Sequence, residues 1–174
     1  MNQLTKLYFR QFLISTFIFT ISTYIPNSLL DDNNPWLSSL LFGITVSIFF
    51  IWLFNLKAKS VIKKWGYTKL FPEVFSPEQT LTIERPISVK ELVQKIVNNP
   101  YLGIKEKNID EHYLTLSINR PESHGLSTDI VSWKDAGDGN LIITLMSKTK
   151  LSWKKFDGLA YHFDRVKYLE TVFQ

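Results

Sequence analysis

The chain of 174 residues is 45% hydrophobic and 14% aromatic, with 20 Lys+Arg against 16 Asp+Glu and no cysteine. This composition excludes a disordered or collagen-like polymer, and the missing thiols exclude disulfides and thiolate-bound zinc or iron–sulfur sites. The net charge of +4 is local: residues 1–56 are neutral, residues 57–69 hold five lysines and no acid, and the remainder is close to balanced, so no basic domain face points to nucleic acid.

The first element is an apolar run from Leu7 to Ile25, interrupted only by Arg10 and Gln11. As a helix it reaches roughly 28 Å, close to the thickness of a hydrocarbon core, and Arg10 lies near its end where a long side chain snorkels to the interface. A second run, Trp36–Leu56, carries no charge and reaches roughly 31 Å. Two helices apolar on every side are foreign to the core of so small a domain, so both read as membrane spans. A cleaved signal sequence is the competing reading of the first run, but no small-x-small cleavage site follows it.

The connection Pro26–Pro35 contains Asp31 and Asp32 and no base, whereas Lys6, Arg10, Lys57, Lys59, Lys63 and Lys64 flank the outer ends. Positive-inside counting therefore expects both termini in the cytoplasm. Ser39, Gly43 and Ser47 recur at four-residue spacing in the second span, and Thr16, Thr20 and Thr23 form a stripe on the first. Small residues let helices approach closely in lipid; the two stripes either pack on each other or leave the glycine stripe to a partner or second copy. Residues 57–75 read as a basic linker, in which Lys alternates with Val61, Ile62, Trp65 and Tyr67 as in segments that lie at headgroup level, and anionic lipid headgroups are a candidate partner.

A domain is expected from about residue 76 to 174. Thr80–Glu84 alternates as a strand; Ser88 and Glu91 form a capping box; and Val89, Leu92, Val93 and Ile96 share a helical face that ends at Asn98-Asn99-Pro100. Four strand-like runs follow: Leu102–Lys107, Tyr113–Asn119, Ser127–Lys134 and Leu141–Lys148, the last two joined by a turn with an Asp138-Gly139 step. A helix from about Gly158 to Phe173 closes the chain, with Asp157 as its expected N-cap, Leu159, Phe163, Val166, Leu169 and Phe173 on one face and His162 at that face's edge. The expected class is α+β: two transmembrane helices, then a small antiparallel sheet with two helices on one face, in the order β-α-β-β-β-β-α.

Chemistry-bearing motifs are scarce. Phosphate-loop, dinucleotide and HExxH patterns are absent. Asp135–Asn140 hints at a calcium loop, but the twelfth position is Met146 where a bidentate Glu is needed, so neither metal nor cofactor is expected. His112, His124 and His162 have no partners at metal-ligand spacing, and His162 reads as a satisfied core-edge histidine. Lys148, Lys150, Lys154 and Lys155 interleave with Trp153; together with Asp157 they form the candidate binding patch for an acidic surface. No catalytic residue is assigned, which points away from an enzyme.

Asp129-Ile130-Val131, the glycine-bearing turn, Ser147-Lys148-Thr149-Lys150, Phe156-Asp157-Gly158 and Arg165 stand in an order that resembles the bacterial domain of unknown function fourteen-ninety-nine family over roughly residues 86–173. That family has a strand ending in a Ser-x-Ser-Arg-like run, then Asp-x-Gly, then a helix bearing an Arg. Here Thr149 and Lys150 replace Ser and Arg, and Asp157 and Gly158 are adjacent. The resemblance implies the fold and a bacterial cell membrane, and carries no activity. The functional expectation is a membrane-anchored, non-enzymatic binding or scaffolding module. The alternatives are a subunit or assembly factor of a membrane complex, with a protein partner or homo-oligomer, and an enzyme using Asp157, His162 or His124 on a membrane-derived substrate.

Overall fold

A computed structural model describes residues 3–29, 34–119, 127–149 and 160–174. The chain forms two compact units, Met1–Glu73 and Val74–Gln174.

The first unit is a pair of long helices, α1 (Gln3–Leu29) and α2 (Pro35–Lys64). Both exceed the predicted spans. Helix α1 continues one turn past Pro26, which forgoes a single intrahelical hydrogen bond, so the predicted loop from Pro26 is shorter than expected. Helix α2 opens at Asn34, whose side chain accepts from the Leu37 N–H at 3.3 Å, with Pro35 at the first helical position, where proline's fixed φ is already helical. It does not stop where the apolar run stops. Lys and Ala are good helix formers, and the basic stretch continues the helix to Lys64. The end comes at Gly66, which takes a left-handed φ of +81°. There Tyr67 N–H donates to the Ile62 carbonyl at 2.9 Å and Gly66 N–H to the Lys63 carbonyl at 3.1 Å, the paired bonds of a Schellman motif. Residues 57–64 of the predicted linker are therefore helical.

The small-residue stripes meet each other. Thr20, Ser39, Gly43 and Ser47 are all buried, while Thr16 and Thr23 flank the contact half-buried. A Cβ placed on Gly43 would lie 2.5 Å from Thr20 Oγ1 and 2.9 Å from the Thr16 carbonyl oxygen. Backbones this close need glycine, and the stripe is already occupied by α1. Of the two readings of the stripe, packing of the two spans on each other is the one seen within the chain. Asn27 Nδ2 donates to Ser39 Oγ at 2.9 Å near the loop end. Tyr24 packs edge-on to Trp36 and Phe19 stacks on Phe50 at 5.5 Å.

The second unit opens with a short 3-10 turn over Pro72–Phe75. It continues as β1 (Glu78–Arg85), α3 (Val89–Val97), β2 (Leu102–Asn108), β3 (Tyr113–Ile118), β4 (Ser127–Gly137), β5 (Asn140–Thr149) and α4 (Tyr161–Val172). The strands form one antiparallel sheet in spatial order β1-β5-β4-β3-β2. Each central strand alternates: Leu114, Leu116 and Ile118 on β3, Val131 and Trp133 on β4, and Leu141, Ile143 and Leu145 on β5 are buried. They join Leu92 and Ile96 of α3 and Val166, Leu169 and Phe173 of α4 in one core cluster. The β4–β5 turn places Asp138 and Gly139 at φ +51° and +77°, the two left-handed positions of a type I′ hairpin and the reason an Asp-Gly pair stands there.

The capping box forms as predicted: Ser88 N–H donates to Glu91 Oε2 at 2.7 Å and Glu91 N–H to Ser88 Oγ at 3.2 Å. The backbone hydrogen bond from Ser88 holds the Glu91 carboxyl below the usual glutamate range. A lowered folded value means a contribution present above the unfolded-chain value and lost as pH falls through the folded one. Ser88→Ala is expected to cost about 1 kcal/mol in urea unfolding of the full chain at neutral pH; Glu91→Gln should flatten the acid limb of the stability–pH curve.

Gly43→Ile is expected to part the two long helices. Disulfide formation between cysteines placed at Asn27 and Ser39, readable because the chain has none of its own, should fall to background in that variant.

Candidate functional site

The inward-facing row of the sheet changes character at one end. Along β4 it reads Trp133, Val131, Asp129, Ser127, and along β5 Ile143, Leu145, Ser147, all buried. Asp129 stands directly opposite Ser147 in the register, next to the apolar pair Val131 and Leu145. The strands supply polar groups where the alternation demands core residues, and such groups are stable there only if hydrogen-bonded.

Helix α4 supplies the partners. His162 and Arg165, three residues apart, lie on one side of the helix, and each is 6% exposed. Arg165 Nε donates to Asp129 Oδ1 at 2.9 Å and Oδ2 at 3.1 Å, and its terminal nitrogen donates to Oδ2. Ser147 Oγ lies 2.7 Å from Asp129 Oδ1 and 3.0 Å from His162 Nδ1. The serine has one hydroxyl proton and a carboxylate can only accept. Ser147 therefore donates to Asp129 and accepts from His162, which places a proton on Nδ1. Both carboxylate oxygens are satisfied and the negative charge is neutralised by a forked guanidinium.

The order of this chain decides its chemistry. A hydrolytic triad places histidine between the carboxylate and the nucleophile, so that the imidazole takes the hydroxyl proton. Here serine stands in the middle, its proton committed to Asp129, and both it and Asp129 are wholly buried. The arrangement holds α4 against β4 and β5. Among the described residues no group of three His, Asp or Glu side chains could hold a metal ion.

Lys148, the one described member of the predicted binding patch, is exposed on β5, on the opposite face from its neighbour Ser147. Lys150, Trp153, Lys154, Lys155 and Asp157, like His124, lie outside the described residues. Helix α4 starts at Tyr161, after Ala160 at φ +55°, rather than near the expected Gly158. His162, Phe163, Arg165, Val166 and Leu169 form its buried face. His162 is a satisfied core histidine, as its position suggested. His112 is exposed, on the turn between β2 and β3.

Sequence reasoning missed the cluster as a unit. The signal was present: Asp129 and Ser147 each continue the inward alternation of a strand that is otherwise apolar, and Arg165 interrupts the stripe of α4 three residues after His162. Asp129, Ser147 and Arg165 were singled out only as part of a resemblance. Comparison of the chain with protein-family models, curated proteins and solved structures returns no match, so a functional reading rests on this geometry.

Removing one partner leaves a buried charge alone. Asp129→Ala or Arg165→Ala is expected to cost about 3–5 kcal/mol, and the paired change Asp129→Leu/Arg165→Met much less than the sum of the two single losses. Ser147→Ala should cost about 1–3 kcal/mol. Urea unfolding followed by near-ultraviolet circular dichroism checks all of these.

Proposed function

We propose that the chain is an integral membrane protein in which the α1–α2 hairpin anchors a small α+β domain on the cytoplasmic face, where that domain works as a non-enzymatic binding or scaffolding module. One observation carries the anchor: the helices are apolar outward. Only 6% and 17% of the residues in their most apolar windows are buried, whereas the core helix of a soluble protein would be mostly enclosed. Phe17 is 68% exposed, Trp36 57% and Ile48 58%. Surfaces of this kind on two long helices are unstable in water and at home in hydrocarbon.

The positive flanks and the acidic connection support an orientation with both ends in the cytoplasm. The inverted order of Ser147 and His162 supports a structural rather than a catalytic role for the buried cluster. The meeting of Asp129, Ser147 and Arg165 supports kinship with the bacterial domain of unknown function fourteen-ninety-nine family, hence a bacterial inner membrane, with α3 and α4 covering one face of the sheet. Binding through Lys148 and the basic residues that follow it belongs to the same proposal; the partner would be acidic.

Single cysteines test the anchor and its orientation. In membranes, Asp32→Cys should react with an impermeant maleimide from outside, and Gln174→Cys only after permeabilisation, while the protein resists alkaline carbonate extraction. Release by carbonate, or an N-terminus cleaved after the first helix, would overturn the reading.

A further inference from the structure

Between the two long helices lies an apolar groove of about 230 Å³, lined by Ile14 and Ile18 of α1 and Phe50, Ile51 and Phe54 of α2, with the half-buried Gln11 also in its wall.

The groove runs toward the open end of the hairpin, where its apolar walls give way to cations. Arg10 lies one turn from Ile14 on α1, and Lys57 one turn from Phe54 on α2; both are exposed. Lys6, Lys59, Lys63 and Lys64 are exposed at the same end. The acids of the first unit are Asp31 and Asp32, in the connection between the helices, and Glu73 at its end. An apolar slot with positive charge at its mouth matches one class of ligand, an apolar chain joined to an anionic head.

We propose that this groove is a binding site for an anionic phospholipid, with an acyl chain between Ile18 and Phe50 and the phosphate held by Arg10 and Lys57. The proposal rests on the reading of the hairpin as membrane-inserted. A guanidinium and an ammonium on facing helices supply charge-assisted hydrogen bonds to phosphate oxygens at headgroup depth. Gln11 stands at the mouth, where an amide can meet the ester region. Ser15 is not available for this, since its hydroxyl already donates to the carbonyls of Gln11 and Phe12.

The test is native mass spectrometry of the full chain in mild detergent, incubated with equal amounts of dioleoyl phosphatidylglycerol and dioleoyl phosphatidylcholine. One phosphatidylglycerol should be retained preferentially. Arg10→Gln/Lys57→Gln should lower that preference roughly tenfold, as expected for losing two cations at the membrane surface. Ile18→Trp should expel the lipid while leaving the charges in place. Lys59→Gln/Lys63→Gln/Lys64→Gln should retain most of the preference. Equal retention of the two lipids, an adduct that survives both Arg10→Gln/Lys57→Gln and Ile18→Trp, or equal loss on neutralising the three outer lysines would overturn the site. Displacement by inorganic phosphate alone would overturn it too, in favour of a free-anion site. A hairpin that resists carbonate but shows no lipid preference removes this proposal alone; one that carbonate releases removes the anchor as well.

Discussion

The second unit depends on one buried ion pair. Asp129 is wholly enclosed, and a lone carboxylate there would be unstable. Arg165 makes it tolerable, and the helix that carries Arg165 is thereby tied to the central strands. Ser147 and His162 fill the remaining hydrogen-bonding positions, so one cluster joins β4, β5 and α4. Such a pair adds little net stability compared with a well-packed apolar substitute, because desolvation offsets the attraction. What it supplies is position: the forked guanidinium accepts only one placement of α4 along the sheet. The apolar side chains Val166, Leu169 and Phe173 then enter the core.

The first unit solves a different problem. Its helices have no apolar core to cover, since their outward faces are as apolar as the seam between them. What holds them is close approach at Gly43, aided by the Asn27–Ser39 hydrogen bond and ring contacts such as Phe19–Phe50. In hydrocarbon this is the expected balance, because dispersion and polar contacts replace the hydrophobic effect between helices. The basic extension of α2 is about 12 Å of helix beyond the apolar run, which sets its lysines along a helix rather than on a loose tether.

Much of the architecture was legible because local rules agreed. The Ser88–Glu91 box, the Asp138-Gly139 turn, the alternation of Leu114, Leu116 and Ile118, and the apolar runs before residue 57 each announce an element through short-range chemistry. The misses are also local. Helix α2 runs on to Lys64 because hydropathy marks where a membrane ends and not where a helix ends; Gly66 was the relevant stop signal. Helix α4 begins at Tyr161 rather than near Gly158, with His162, Phe163 and Arg165 on its buried face.

By itself, then, the sequence determined the segments, their type, the α+β class and the presence of two runs able to cross a bilayer, because these follow from periodicity, caps and turn residues. Tertiary structure decided which stripes meet and which polar residues converge. Asp129 and Arg165 are far apart in the chain, and nothing in either local segment says that a strand carboxylate will lie under a helix guanidinium. That Thr20 closes over Gly43, and that Ser147 stands between Asp129 and His162, depends on the register of elements brought together only on folding. Pairing across such distances is a property of the packed molecule, since short-range preferences carry no information about which distant group will satisfy a buried charge.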